Sequence, residues 1–168
     1  EGRKMTMERV DLTVVCSGAL TDMTVLAPDR ACTLIPLTSD GKPAPAVVIG
    51  DHDRLSQVIT NLLGNVVRHT PPGTPAEIAV GPVGENAVVE VRDHGPGVSD
   101  QDAQKVFRRF YRADTSRNRE TGGSGLGLAI VSAIIERHGG TVRMLHTPGG
   151  GATVRIELPA LLSDATDA

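Results

Sequence analysis

Large aromatic side chains are scarce in this chain of 168 residues, which contains no Trp. Its only aromatic residues are Phe107, Phe110 and Tyr111, which lie together in one short segment. The main core is therefore predicted to be aliphatic. With 39% hydrophobic and 22% charged residues, a chain of this length is expected to form one globular domain around one core.

Other absences exclude further classes of protein. No apolar run approaches the roughly 20 residues needed to cross a bilayer, and no signal peptide is visible. The net charge of −3 gives no reason to expect a nucleic-acid partner. Cys16 and Cys32 are isolated and lack the spacing of metal ligands. We predict two buried, reduced thiols, with a disulfide between them as the alternative.

Two familiar phosphate-binding motifs are also missing, although one stretch is rich in glycine. Gly123, Gly125 and Gly127 alternate and precede an apolar run, which predicts a flexible loop leading into a buried helix. Such a helix start favours an anion such as phosphate, and a plain loop is the alternative. The dinucleotide fingerprint needs glycine where Leu128 stands, and the only Gly-Lys pair, at 41–42, lacks the Ser or Thr of a P-loop.

The clearest periodicity predicts a helix over residues 51–70. Apolar residues recur on one wide face of it: Leu55, Val58, Ile59, Leu62, Leu63, Val66 and Val67. Asn61, Asn65 and Arg68 share a narrow polar stripe beside this face, and His69 lies between the stripe and the core. Because Lys and Glu are better helix formers than Asn, the two Asn residues indicate a site that uses a neutral oxygen. Simple surface polarity is the alternative.

Weaker patterns predict the remaining elements. Strands are expected at 10–14, 31–37 and 46–50, and hairpins pair 76–80 with 87–91 and 141–145 with 152–158. Further helices are expected from the first strand to about residue 28, from 99 to 110 or 111, and from 126 to 137.

A carboxylate stands where the second strand of the first hairpin ends, in the sequence Asp93-His94-Gly95-Pro96-Gly97. As structure alone this pattern is a tight turn. As chemistry, the carboxylate can accept a hydrogen bond from an amino group that lies flat against the glycine backbone. The arginine-rich segment 108–119 predicts a mobile cationic connection suited to phosphate, with a merely solvated run as the alternative.

Taken in order, these motifs resemble the ATP-binding catalytic domain of bacterial sensor histidine kinases, in the superfamily shared with gyrase B, Hsp90 and MutL. The matching motifs are similar to the N box at 61–71, the G1 box at 93–97, the F box at 107–110, the G2 box at 123–128 and the last glycine box at 151–153. The resemblance covers residues 8–159, with 1–7 as a linker from an upstream dimerisation domain and 160–168 as a tail. It implies an α/β two-layer sandwich, the Bergerat ATP-binding fold, in which a mixed sheet of about five strands packs on three helices.

The resemblance also implies ligand contacts. Asp93 would accept a hydrogen bond from the adenine amino group, Gly95 and Gly97 would let the base approach, and His69 would stack on it where the family often has Tyr. Asn65 would supply the one protein oxygen on Mg²⁺. The other nucleotide contacts implied are Asn61, Arg68, Gly123, Gly125, Leu126, Gly127, Leu128 and Thr153.

Asn61, Arg68 and Arg112 are the residues that the resemblance places in catalysis, with Arg117 or Arg119 as alternative lid arginines. Hydrolytic relatives carry a water-activating Glu where this chain has Asn61, and an amide cannot act as a base. The implied reaction is therefore transfer of the ATP γ-phosphoryl group to a histidine. No histidine of this chain is followed by Glu, so the acceptor is expected on the dimerisation domain.

The implied partners are that histidine-bearing dimerisation domain and the receiver domain of a response regulator. The parent kinase is expected to be a membrane-anchored homodimer, with this domain in the cytoplasm and monomeric by itself. Phe107, Phe110 and Tyr111 are expected to dock the partner domain or to anchor a lid. The alternatives are an ATPase of the gyrase or MutL type and a nucleotide-gated binding module without phosphotransfer.

Overall fold

A computed structural model describes residues 4–108 and 127–162 of the chain. The helices are α1 (Leu12–Leu26), α2 (His52–His69), α3 (Asp100–Ala103) and α4 (Gly127–Arg137). The strands are β1 (Glu8–Asp11), β2 (Cys32–Pro36), β3 (Val47–Gly50), β4 (Ala76–Val83), β5 (Asn86–Asp93), β6 (Thr141–His146) and β7 (Ala152–Pro159). The first strand begins at Glu8 and the last ends at Pro159, and the domain limits expected at 8 and 159 stay a prediction.

Five strands form one mixed sheet in the order β2-β4-β5-β7-β6, and β1 pairs with β3 in a separate two-stranded sheet. Only β2 and β4 run parallel within the larger sheet. Strand β5 lies at its centre, where Asp93 is opposite Ala76 of β4 and Arg92 is opposite Thr153 of β7. The predicted two-layer α/β sandwich is confirmed, and its central strand ends at the carboxylate that the sequence singles out.

Helix α2 packs on the sheet through the predicted apolar face. Its buried residues are Leu55, Val58, Ile59, Leu62, Leu63 and Val66. Burying one such side chain contributes about 1.5–3 kcal/mol, so this face fixes how the helix is rotated. The prediction is wrong for Val67, which is 39% exposed. The core is aliphatic as predicted, since no aromatic ring is among the buried apolar side chains of the described residues.

A histidine joins the end of α4 to the start of α2. The Nε2 atom of His138 accepts a hydrogen bond from the backbone N–H of Asp51, at 3.0 Å, while Nδ1 donates to the carbonyl of Ile134, at 2.7 Å. The side chain of Asp51 in turn accepts from the backbone N–H of Arg54 and caps α2. This junction fixes the relative placement of the two helices that frame the candidate site.

Several element ends differ from the sequence prediction. The expected strand at 10–14 is β1, which stops at Asp11 because that carboxylate caps α1 and also accepts a hydrogen bond from Ala46. The helix expected from 99 to 110 or 111 is wrong for 104–108, where turns follow the four residues of α3. Strands β4 and β5 extend through most of the loop expected at 81–86, because their ladder continues to the pair Val83 and Asn86.

The outer face of the sheet carries a charged network that the sequence did not reveal. The buried carboxylate of Glu90 accepts hydrogen bonds from Arg92 at 2.9 and 2.7 Å and from Arg155 at 2.6 Å. Arg155 and Arg143 also pair with Glu157. Burial raises the pKa of the Glu90 carboxyl, but the hydrogen bonds from Arg155 and Arg92 outweigh it and hold that pKa below its ordinary value.

Both cysteines are free thiols, so the predicted lack of a disulfide is confirmed. Cys16 is buried as predicted, whereas the prediction is wrong for Cys32, which is only partly buried at the start of β2. None of the helices within the described ranges has both the length and the apolar character needed to cross a membrane.

Candidate nucleotide site

Two backbone N–H groups hold the carboxylate of Asp93 at the end of β5. Its Oδ1 atom accepts hydrogen bonds from the backbone N–H groups of Gly95 and Ala152, both at 3.0 Å. The first bond closes the turn after β5, and the second reaches the first residue of β7. Within the described part of the chain, every hydrogen bond to this carboxylate falls on Oδ1, so Oδ2 is available to a donor from outside the protein.

Glycines line the turn after Asp93 because backbone segments touch there. A Cβ atom on Gly151, whose φ is +117°, would lie 2.7 Å from the carbonyl carbon of Asp93 and 2.9 Å from the Cα of His94. A Cβ atom on Gly97, whose φ is +78°, would lie 3.2 Å from the carbonyl oxygen of Gly151. The turn and the β6–β7 hairpin are therefore packed backbone against backbone, with no room for side chains between them.

The carboxyl end of α2 closes the other side of this turn. A Cβ atom on Gly95 would lie 2.6 Å from the Cγ2 methyl of Thr70, the residue that follows α2. The hydroxyl of Thr70 donates to the carbonyl of Val66 and accepts from Arg30, both at 2.6 Å. Helix α2 and the Asp93 turn are thus in direct contact.

One turn or so earlier on the same helix, Asn65 faces the start of α4. A Cβ atom on Gly127 would lie 3.8 Å from the Oδ1 atom of Asn65, so the two helices approach closely at this point. The guanidinium of Arg68 donates a short hydrogen bond to the same oxygen. An amide oxygen, a cation and a glycine at a helix start therefore converge at one place.

His69 lies near both groups. Partial burial is the largest cause of a pKa for this imidazole below its ordinary 6.5, the cation of Arg68 lowers it further, and the carboxylate of Asp93 acts in the opposite direction. The ring is therefore neutral at pH 7. The influence of Asp93 on the pKa of this exposed side chain is consistent with the end of the Asn stripe lying near the turn.

The remaining predicted site residues fall into two groups. Asn61 is half-buried on α2, one turn before Asn65, and Leu128 is half-buried against the core. Thr153 is buried, and its hydroxyl shares a hydrogen bond of 2.9 Å with that of Thr147. Other predicted residues lie outside the described ranges: Phe110, Tyr111, Arg112, Arg117, Arg119, Gly123, Gly125 and Leu126.

Sequence reasoning missed four residues of the site. Thr70 and Gly151 stand inside the recognised motifs, but no role was assigned to either residue. The backbone N–H of Ala152 carries no sequence signal, because any residue except Pro supplies it. Arg30 lies far from every motif, and no pattern in the sequence marks it.

The donor set suits a metal ion that takes few protein ligands. In residues 4–108 and 127–162, no three His, Cys, Asp or Glu side chains come together as a metal cluster. The oxygen of Asn65 accepts a hydrogen bond from Arg68 and lies beside the start of α4 at Gly127. Mg²⁺ commonly binds through one or two protein oxygens and completes its shell with water and substrate phosphates, so the residues present fit that ion.

Comparison with known proteins gives one consistent family. Residues 50–162 match the model of the family described as histidine kinase-, DNA gyrase B- and HSP90-like ATPase. The probable sensor histidine kinase TcrY of Mycobacterium tuberculosis (strain ATCC 25618 / H37Rv) is 42% identical over 148 residues. That match covers 88% of this chain and 30% of TcrY, so the chain spans about a third of its relative's length.

Solved structures agree with the sequence relatives. The mycobacterial sensor histidine kinase MprB superposes with a TM-score of 0.78 at 29% identity, covering 94% of this chain and all of that one. The ATP binding domain of PrrB from Mycobacterium tuberculosis superposes with a TM-score of 0.74 at 25% identity, covering 93% and 98% of the two chains. The chain therefore belongs to the histidine kinase-, DNA gyrase B- and HSP90-like ATPase family, as an ATP-binding domain of the sensor histidine kinase type.

Proposed function

We propose that this domain binds ATP with Mg²⁺ and transfers the γ-phosphoryl group to a histidine on a separate dimerisation domain, releasing ADP. One observation carries the proposal: the turn of Asp93, the carboxyl half of α2 and the start of α4 meet at one edge of the sheet. Residues 8–159 form the catalytic unit in this proposal. Bound Mg²⁺-ATP supplies the phosphoryl group, and the chain supplies recognition and charge.

Recognition of the base belongs to Asp93. Its Oδ1 atom accepts from two backbone donors, so in this proposal Oδ2 accepts the hydrogen bond from the adenine amino group. Gly95 and Gly97 keep the turn free of side chains where the base approaches. The neutral ring of His69 offers a face for stacking without adding positive charge.

Phosphate and metal binding belong to the α2–α4 side. Asn65 offers its amide oxygen to Mg²⁺, and Arg68 turns from that oxygen towards the phosphates, which it can contact through a planar fork of donors. Gly127 and Leu128, together with Gly123, Gly125 and Leu126, form the phosphate-wrapping segment of the proposal. In this proposal the buried Thr153, through its bond to Thr147, steadies the start of β7 next to the Asp93 turn.

Transfer to histidine rather than to water follows from Asn61. An amide at this place cannot take a proton from an attacking water, so position 61 supplies no general base for hydrolysis. Arg68 and a lid arginine, Arg112 in this proposal, stabilise the charge on the phosphoryl group during its transfer. The receiving histidine belongs to the parent kinase, which we propose to be a membrane-anchored homodimer that passes the phosphoryl group to a response regulator.

Base recognition is tested by Asp93→Asn, which keeps an oxygen for Gly95 and Ala152 but replaces the free acceptor with a donor. We expect ADP affinity to fall about 10- to 100-fold, since hydrogen bonds to charged groups contribute about 1.5–3 kcal/mol. Isothermal titration calorimetry measures it, and Asp22→Asn on the exposed face of α1 is the matched control. Unchanged ADP affinity in Asp93→Asn would rule out this role.

The metal role is tested by Asn65→Ala. We expect the gain in ATP affinity on adding Mg²⁺ to shrink at least about tenfold, because one inner ligand is lost, while binding in EDTA changes little. Equal Mg²⁺ dependence in both proteins would remove Asn65 from the metal.

Phosphotransfer is tested by mixing the domain with labelled ATP, Mg²⁺ and a histidine-bearing dimerisation domain. We expect acid-labile phosphate on the added domain and little free phosphate without it. Rapid ATP hydrolysis by the domain alone would instead indicate an ATPase. Tight ATP binding with neither product would indicate a nucleotide-gated binding module.

A further inference from the structure

Arg30 is a buried cation with no acidic partner among the described residues. Its side chain is 7% exposed, in the turn between α1 and β2. The guanidinium donates to the hydroxyl of Thr70 at 2.6 Å, to the carbonyl of Thr74 at 2.9 Å and to the carbonyl of Pro71 at 3.3 Å. Burying a charge without a counter-charge is costly, so the hydrogen bonds that the guanidinium makes must offset this cost.

All three acceptors belong to the segment that leaves α2. Thr70 is the C-cap of that helix, and its hydroxyl donates to the carbonyl of Val66 while it accepts from Arg30. Both hydrogen-bonding functions of the hydroxyl are therefore engaged, which leaves the Thr70 side chain a single orientation. Arg30 also binds the loop beyond it, so this segment cannot shift independently of the guanidinium.

The same side chain touches the turn proposed to read the base. With its hydroxyl fixed, the Cγ2 methyl of Thr70 lies against Gly95, where a Cβ atom would come within 2.6 Å of it. The backbone N–H of Gly95 then donates to Oδ1 of Asp93. A continuous series of contacts thus joins Arg30 to the carboxylate through Thr70 and Gly95.

We propose that Arg30 is a positioning residue for nucleotide recognition. By holding the Thr70 side chain in one orientation, it fixes the position of the Gly95 backbone and hence the orientation of the Asp93 carboxylate. The proposal rests on the proposed role of Asp93 in base recognition. Arg30 itself touches no ligand. Its effect is confined to the base side of the site, because its contacts reach neither Asn65 nor Gly127.

The test compares Arg30→Met, which keeps the aliphatic volume, with Arg155→Met, which removes a partly buried arginine from the outer face of the sheet. We expect Arg30→Met to weaken ADP binding about tenfold and inorganic tripolyphosphate binding less than about twofold, since the three hydrogen bonds that are lost hold the segment packed against the Gly95 turn. Arg155→Met should leave both affinities unchanged. Calorimetry is run at a temperature where circular dichroism shows each variant folded.

Substitutions of Thr70 separate its two functions. Thr70→Val keeps a methyl against Gly95 but loses the hydroxyl that Arg30 holds, whereas Thr70→Ser keeps the hydroxyl and loses the methyl. Both substitutions are expected to weaken ADP binding, as Arg30→Met does. Should Arg30→Met fail to fold, the near-isosteric Thr70→Val decides the question.

Backbone amide resonances supply a readout that general destabilisation does not move. In ¹⁵N-labelled protein, the amide signals of Gly95 and Ala152, which donate to Asp93, should shift in Arg30→Met and stay in place in Arg155→Met. Unmoved amide signals together with unchanged ADP affinity in Arg30→Met and Thr70→Val would overturn the proposal. Asp93→Asn, measured in parallel, separates the two failures: if it too leaves ADP affinity unchanged, base recognition by Asp93 is wrong.

Discussion

The contact between Gly151 and the Asp93 turn makes a sharp prediction, because the chain contains its own control. Gly150 and Gly151 share a φ of +117°, so an alanine at either position is strained in a similar way. A Cβ atom on Gly150 would have no atom within 4 Å, whereas one on Gly151 would lie 2.7 Å from the carbonyl carbon of Asp93. The difference between the two variants therefore isolates the contact.

The expected magnitude follows from three contributions. Strain of about 1–3 kcal/mol is common to Gly150→Ala and Gly151→Ala. Only Gly151→Ala adds overpacking of about 1–3 kcal/mol and loses the bond of about 1.5–3 kcal/mol from Ala152 to the Asp93 carboxylate. The two variants should thus differ by about 2.5–6 kcal/mol, or roughly 5–24 °C in melting temperature for a domain of this size.

Urea denaturation followed by far-ultraviolet circular dichroism suits this comparison, since the chain has no Trp for fluorescence. ADP affinity should fall in Gly151→Ala and stay near wild type in Gly150→Ala. If the free energies of unfolding of the two variants agree within about 0.5 kcal/mol, the backbone contact is not what the structure indicates.

Two further predictions concern titratable groups. Because Arg155 and Arg92 lower the pKa of Glu90, ionised Glu90 stabilises the fold above its ordinary value of 4.5, and this stability is lost as the pH falls through the lower folded value. Glu90→Gln should therefore lower the urea midpoint at pH 7 and differ less from wild type near pH 3; a pH-independent difference would contradict this. Burial raises the pKa of the Cys16 thiol to about 12, whereas Cys32 is partly exposed. At pH 8, iodoacetamide should therefore label Cys32 first and Cys16 only after unfolding. Peptide mass spectrometry measures both labelling rates, and equal rates would refute this prediction.

The helix of the site could be predicted almost completely from sequence. Burial of one face of α2 demands apolar residues at helical spacing, so the pattern from Leu55 to Val66 specified both the helix and its rotation. That rotation, inferred from the sequence alone, predicted that Asn65 and Arg68 lie at the border of the buried face. Val67 was misjudged because residues at the edge of a wide apolar face can lie on either side of the boundary.

What sequence could not provide were contacts between distant segments. Arg30 and Thr70 are 40 residues apart, and nothing local to either one indicates the other. Likewise, β1 ends where it does because Asp11 bonds to Ala46 across 35 residues. Periodicity reports which face of an element is buried, but hydrogen bonds of this kind depend on where the chain returns.

The place of Asp93 at the end of β5 has a consequence for repeated use of the site. Neighbouring strands are hydrogen-bonded along both edges of β5, so its backbone is held whether or not a nucleotide is present. With Asp93 reading the base as proposed, departure of one nucleotide would leave this carboxylate in the position that the next nucleotide needs. Each new encounter would then require no rebuilding of this part of the site.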